Sequence, residues 1–306
     1  MFARKIKASS LALLLITSLL VSVFQVSPVT ASTKYPLKIK SAGYTTKLSA
    51  KPIRIISLSP SATEILFAIK AGPQVLAVDD NSNYPLDVPK SELSSFTPNV
   101  EAIAALKPDL VVLQINATNA RNVRDALTKL KIPVFVEPAA RNLNDTYSEI
   151  ALLGRAVDQN PVADTLVKNM KKRIAKTLAS VKTSRKITFF HELDNTLYTA
   201  TSKTFIGRVY KDFGLVNIAD AASKADDAGY PQLSAEYLIK SNPEMIFLAN
   251  AQYGESAVAV SARPGWQGIK AVRNQNIIEL PADIPSRWGP RIVDFYELVA
   301  EAISNL

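Results

Sequence analysis

The sequence contains no cysteine and only one histidine, His191, in 306 residues. Without cysteine there is no disulfide, no thiol nucleophile, no thiolate metal site and no cysteine to carry a lipid anchor. One histidine rules out a multi-histidine zinc site of the usual kind. A serine hydrolase could recruit only His191 as its base, and no G-x-S-x-G elbow supplies the nucleophile. Basic residues outnumber acids, 36 to 27, but they are spread along the chain. The one dense run, Lys168 to Lys176, falls on an expected helix and reads as a solvated face. Nothing resembles a nucleic-acid module. Past Phe24, no stretch is apolar enough to cross a membrane.

The long apolar run that does exist, Leu11 to Phe24, follows Arg4, Lys5 and Lys7. It is shorter than the ~20 residues that span a bilayer comfortably. Val29-Thr30-Ala31 closes it with the residues a signal peptidase accepts. Residues 1–31 therefore read as a secretory signal peptide cleaved near Ala31, and the protein as extracytoplasmic. An uncleaved signal serving as an anchor is the other reading. The remaining 275 residues carry a formal charge of +6, since the leader holds three basic residues and no acid. That length suits two lobes, each able to bury its own core.

From Tyr35 to Leu48 weak alternation around Ser41-Ala42-Gly43 predicts a hairpin. Strand and helix then alternate. Ile53–Leu58, Gln74–Val78, Leu110–Gln114 and Val134–Val136 predict strands, and Ser61–Ala71, Val100–Leu106 and Asn119–Lys129 predict helices. Short apolar runs joined by helices are the mark of buried parallel strands. A helical section follows: Asn144–Val157, then a second helix from Pro161 to about Val181. Val167, Met170, Ile174, Leu178 and Val181 mark its apolar stripe. A helix of ~20 residues spans ~30 Å, enough to bridge two lobes. Strand–helix alternation resumes with Lys186–Phe190, Phe205–Phe213, Ala235–Ser241, Met245–Ala249, Ile277–Glu279 and a final helix from about Arg291. The expected organisation is a signal peptide (1–31), an N-terminal α/β lobe with its leading hairpin (32–157), a connecting helix (158–184) and a C-terminal α/β lobe (185–306).

"SLSPSATEILFAI", Ser57 to Ile69, ends a strand in a cluster of hydroxyls. Ser61 with Glu64 fits a capping box, and Pro60 fits the first helical position if Ser59 is the cap. The stretch also fits a ligand lip, because open α/β sheets bind at the carboxyl ends of their strands. A second pattern is internal. "VEAIAALKPDLVVL" begins at Val100 and "AEYLIKSNPEMIFL" at Ala235. In each, a glutamate (Glu101, Glu236) stands seven residues before a proline (Pro108, Pro243), and an acid and an apolar strand follow. An acid near a helix N-terminus explains each glutamate separately. Two related lobes with matched surface glutamates explain the shared register.

"RIISLSPSATEILFAI", "SNYP" (Ser82–Pro85), the two Glu…Pro units, "YPQLSAEYL" (Tyr230–Leu238) and "DIPSRWGPR" (Asp283–Arg291) carry a resemblance. In this order they resemble extracytoplasmic solute-binding proteins of ABC importers. The likeness is to the helix-linked class that serves vitamin B12, haem and ferric siderophores, and above all to its cobalamin-binding members. It covers the chain from about Tyr35 onward. It implies two α/β lobes joined by a single long rigid helix, with a ligand cleft between them. It implies no enzyme activity and no cofactor. The implied partners are a corrinoid ligand and an ABC permease dimer with its ATPase, met by a monomer. Glu101 and Glu236 would dock on the permease, one glutamate per lobe.

The resemblance places Pro60, Ser61, Ala62 and Thr63 against ligand. Asn83 and Tyr84, Phe96 and Asn116 are further candidates in the first half. In the second half they are His191 and Glu192, Tyr198 and Lys203, Tyr230, Asp283, Arg287 and Trp288. Aromatic planes suit a broad conjugated ring, and amides and hydroxyls suit peripheral amides. Plainer roles stand beside these. Tyr84 packs a loop before Pro85, or Asp283 and Arg287 form a surface ion pair. His191 is structural, lines the cleft, or ligates a metal centre of the ligand. Arg291 braces the last helix, and Trp266 packs a core or loop. A ferric siderophore or haem is the alternative ligand, and an exported α/β hydrolase the distant alternative activity.

Overall fold

The computed structural model describes residues 32–181 and 185–306. The expected signal peptide and residues 182–184 lie outside the described residues.

A hairpin opens the fold. Strands β1 (Leu37–Ser41) and β2 (Tyr44–Leu48) pair antiparallel, with Ser41 opposite Tyr44. The two-residue turn places Ala42 and Gly43 at φ of 50° and 80°. Such a turn matches the twist of the strands it joins, and glycine takes that conformation freely.

The first lobe follows: β3 (Ile55–Leu58), α1 (Pro60–Ala68), β4 (Val75–Val78), α2 (Val100–Ala105), β5 (Leu110–Gln114), α3 (Ala120–Lys129) and β6 (Val134–Glu137). Its strands are parallel, in the order β4-β3-β5-β6. The hairpin is fastened to its edge, where the Ser41 hydroxyl donates to the Val136 carbonyl (2.8 Å) and the Thr46 hydroxyl to the Val134 carbonyl (2.7 Å).

The first lobe ends in α4 (Leu143–Ala156), and the 21-residue α5 (Asn160–Ser180) connects it to the second. The second lobe contains β7 (Thr188–Glu192), α6 (Phe205–Asp212), β8 (Val216–Asn217), α7 (Ala235–Ser241), β9 (Met245–Leu248), α8 (Ala257–Ser261), α9 (Lys270–Arg273), β10 (Ile277–Glu279), α10 (Asp283–Ser286) and α11 (Ile292–Ser304). Its parallel sheet has the order β10-β9-β7-β8. Read from the second strand of each lobe, both sheets run second–first–third–fourth. The two lobes share one topology, and α2 and α7 both lead into the third strand.

The apolar interior is not divided as the sequence suggests. One buried cluster runs from Ile55 and Val112 of the first sheet, through Met170 and Ile174 of α5, to Phe189, Phe247 and Phe295 of the second lobe. A parallel sheet needs cover on both faces, and α4, α5 and α11 cover the inner faces together. Alternate residues point the other way into a smaller outer cluster in each lobe. Ile56, Leu58, Val111 and Leu113 form one, and Phe190, Ile246, Leu248 and Trp266 the other. Trp266 is thus core, as its plainer reading has it.

The N-terminus of α1 decides between the two caps. Ser59 is the cap: its side chain accepts the Ala62 N–H, and Pro60 takes the first turn. Glu64 does not return to Ser61. Its carboxylate is buried and faces two guanidinium groups from the other end of the chain, Arg287 (3.4 Å) and Arg291 (Nε at 2.9 Å). Arg291 therefore braces the start of α11 against α1.

Candidate functional site

A cleft enclosing about 300 Å³ lies where strand ends converge, and its empty space extends to about 980 Å³ as it opens to solvent. That is within the usual range for small-molecule sites. All four strands of the first lobe deliver residues to it from their carboxyl ends. Ser59, Pro60 and Ser61 follow β3, Asn81 follows β4, Ile115 and Asn116 follow β5, and Glu137 and Pro138 close β6. The second lobe supplies Tyr253 after β9, and Asp283, Ser286, Arg287 and Trp288 after β10. This is the strand-end location that open α/β sheets favour.

Arg287 and Trp288 hold the two lobes from adjacent positions. Arg287 reaches into the first lobe, donating to the Asn83 side-chain oxygen (2.6 Å) and the Asn81 carbonyl (2.9 Å). Asp283 pairs with Arg287 at 2.9 Å and accepts from the Asn83 amide at 3.1 Å. The ion pair is not a surface one, because Arg287 is buried. Trp288 turns to the second lobe. Its ring stacks on Phe205 with centroids 5.1 Å apart, and its indole N–H donates to the Pro285 carbonyl (3.1 Å).

Of the sequence candidates, Pro60, Ser61, Phe96, Asn116, Asp283, Arg287 and Trp288 line this cleft. Ala62, Thr63, Tyr84, His191, Tyr198 and Tyr230 do not. Ala62 and Thr63 are one residue too far along: the helix has begun, and both are fully buried. Thr63 Oγ1 is occupied within the fold, lying 2.8 Å from Ser57 Oγ and 2.9 Å from Ser82 Oγ. Asn83 acts one step back, through Asp283 and Arg287, while Tyr84 lies under the Arg291 guanidinium, 4.2 Å from the ring centroid.

His191 and Glu192 sit inside β7 rather than beyond it, and both are fully buried. His191 Nδ1 meets the Tyr210 hydroxyl at 2.8 Å, and its Nε2 has no partner. Burial alone pushes the imidazole down to a pKa of about 3, so it is neutral. It reaches no cleft surface, which removes it both as a metal-centre ligand and as a hydrolytic base. Glu192 is held by Arg263 (2.6 Å) and the Asn250 amide (3.0 Å). Tyr198 is half exposed and bridges to Gln232, and Lys203 is exposed outside the lining. Tyr230 packs its ring on the shared core.

The cleft also contains residues that the sequence reading passes over. Tyr253 is 77 % exposed there, in the segment that follows β9. Glu137 is the last residue of β6. The strand-end rule identifies Glu137 once β6 is extended by one residue to its true end, and Tyr253 in the segment after β9. Glu149 has no such signal, since on α4 it reads as one more polar helix residue. Burial raises the Glu137 carboxyl above its ordinary range, and burial together with Glu137 beside it raises Glu149 further.

Residues 55–284 match the periplasmic binding protein family, and the chain belongs to it. An uncharacterised ABC transporter substrate-binding lipoprotein of Bacillus subtilis, YvrC, is 32% identical over 265 residues, 84% of this chain and 81% of that protein. A vitamin B12-binding protein of Vibrio cholerae is 30% identical over 266 residues, 83% of this chain and 91% of the relative. The crystal structure of the periplasmic vitamin B12 binding protein BtuF of Vibrio cholerae superposes with a TM-score of 0.67 at 26% identity, covering 84% of this chain and 98% of that one. A structure from Staphylococcus epidermidis, described as a possible iron-binding periplasmic solute-binding protein, reaches a TM-score of 0.72 at 29% identity, covering 83% and 99%.

Proposed function

We propose that this protein captures a corrinoid outside the cytoplasmic membrane and hands it to an ABC permease. Export follows from the leader at 1–31, with cleavage near Ala31. The observation that carries the ligand reading is the chemistry of the cleft. Tyr253, Phe96 and Trp288 offer aromatic surface, and Pro60, Ser61 and Asn116 offer small and hydrogen-bonding groups. Among the described residues, the one cation in the lining, Arg287, is already paired with protein acceptors. A conjugated ring rimmed by neutral amides suits such a surface. Haem and most ferric siderophores carry negative charge and call for free guanidinium or ammonium groups. B12-binding relatives and a B12-binding structural neighbour support the same choice.

The second reading, a ferric chelate, is favoured by the Staphylococcus epidermidis neighbour. Absorbance and calorimetric titration of the mature protein separates the two. One-to-one binding of cobalamin, tighter than that of haem or ferric siderophores, is expected. Nanomolar binding of an iron chelate beside micromolar corrinoid binding replaces the first reading with the second.

A further inference from the structure

The cleft holds more acid than base. Glu137, Glu149 and Asp283 line it against Arg287. That guanidinium faces the Asn81 carbonyl, Asn83 and the Asp283 and Glu64 carboxylates. Among the described lining residues no other cation faces a ligand. Glu137 comes from the end of β6 and Glu149 from the middle of α4, and both are buried. Among the described residues, no hydrogen-bond donor reaches Glu149 Oε1. Asp79, beyond β4, adds negative charge nearby. Two ionised carboxylates in one buried site repel strongly. A proton kept on Glu149 relieves this, and both carboxyl groups line the cleft.

We propose that Glu137 and Glu149 set the charge class of the ligand, admitting one that presents neutral amides to this end of the cleft and rejecting one that presents carboxylates. The inference rests on the cleft being the ligand site and deepens the corrinoid reading. A primary amide brings N–H donors, which the carboxyl oxygens accept. A carboxylate brings another negative charge and no proton, with no free cation to offset it. Discrimination built on such repulsion is a familiar route to specificity.

The test uses cyanocobalamin and its monocarboxylates, in which one side-chain amide is hydrolysed, near neutral pH. Calorimetry compares the wild type with Glu137→Gln and with the Glu137→Gln/Glu149→Gln double variant, each checked for folding by circular dichroism. The wild type should bind the parent about tenfold or more tightly than the disfavoured monocarboxylates. The double variant should bring that ratio toward one; if it misfolds, Glu137→Gln, which removes the ionised member of the pair, reads the same ratio. Equal wild-type affinities, or an unchanged ratio in a folded variant, overturn the inference while leaving the corrinoid reading intact. If no corrinoid binds, the corrinoid reading fails, and a neutral ferric trihydroxamate is compared with an anionic ferric carboxylate chelate. Preference for the neutral chelate supports the inference; preference for the anionic one, or binding of neither, overturns it.

Discussion

Glu101 and Glu236 are the second residues of equivalent helices, α2 and α7, and the match extends to the atoms around them. Asn99 caps α2 by accepting the Ala102 N–H, and Ser234 caps α7 by accepting the Tyr237 N–H. Downstream, the Asp109 N–H donates to the Arg54 carbonyl and the Glu244 N–H to the Thr188 carbonyl, both at 3.0 Å. Those acids also accept backbone N–H groups where the first strand of each lobe begins: Asp109 from Ile53 and Arg54, Glu244 from Thr188. The seven-residue spacing in sequence is therefore one structural unit used twice.

Both glutamates are exposed, and neither forms an ion pair among the described residues. A two-fold permease requires like charges on both lobes, which is the role proposed for them. Glu101→Ala and Glu236→Ala should leave ligand affinity and melting temperature unchanged. Uptake by the intact importer should fall with either, and on the order of tenfold with both, because truncating one side of an interfacial ion pair weakens docking. Full transport by the double variant would remove the docking role.

Glu64 is a different kind of glutamate. It is buried between Arg287 and Arg291 and ties α1 to the segment that closes the cleft. Removing it leaves guanidinium groups without their buried partner, which costs about 3–5 kcal/mol. Glu64→Ala should show this loss in urea unfolding and should also weaken ligand binding, since Arg287 and Trp288 lose their anchor. A loss below about 1 kcal/mol would mean that water replaces the carboxylate.

Much of this arrangement was legible in the sequence. The repeated Glu…Pro unit and the apolar strands gave the two-lobe plan, because buried parallel strands read as short continuous runs. What failed was depth and reach. Thr63 and His191 look like polar groups at strand ends, yet both turn inward and find partners in the fold. Tyr230 looks like a stacking platform and packs on the core instead. The buried acid pair was hidden because Glu137 and Glu149 come from a strand and a helix 12 positions apart in sequence, with no spacing rule to join them.

Stability should respond to pH in two opposed ways. The neutral His191 has a pKa of about 3 in the fold against 6.5 ordinarily. As pH falls from about 6.5 toward about 3, the unfolded chain gains a proton that the folded chain refuses, and stability drops. Glu137 and Glu149 titrate above their ordinary 4.5. As pH rises from there through the raised folded values, the unfolded chain releases protons that the folded chain retains, and stability drops again. Glu149→Gln should remove much of the second decline, stabilising the protein at about pH 8 and little at about pH 5. An equal effect at both pH values would place the pair's proton elsewhere.

Helix α5 has no internal glycine, and its one proline, Pro161, is in the first turn. It therefore lacks the usual sources of a hinge. Arg173 fixes it to α11 through Asp294 (3.1 Å) and Glu297 (2.8 Å), and the Arg287–Asn83 bond joins the lobes at the cleft. X-ray scattering profiles with and without ligand should nearly coincide. A large compaction on binding would require a hinge that these contacts do not contain.

Two tyrosines separate a ligand surface from a structural one. Tyr253 is largely exposed in the cleft, and its ring supports little else in the fold. Tyr253→Ala should leave the melting temperature unchanged and cost about 1–3 kcal/mol of ligand affinity, the scale for burying an aromatic side chain against a ligand. Tyr230 is the reverse case, since its ring packs on the shared core and lies outside the cleft lining. Tyr230→Ala should lose about 1–3 kcal/mol of stability, because the packing it removes belongs to the fold. Ligand affinity measured at a temperature where the variant is fully folded should be unchanged. Calorimetry on both variants distinguishes the roles. If Tyr230→Ala weakens binding while Tyr253→Ala does not, the ligand sits deeper against the second lobe than the strand-end cleft.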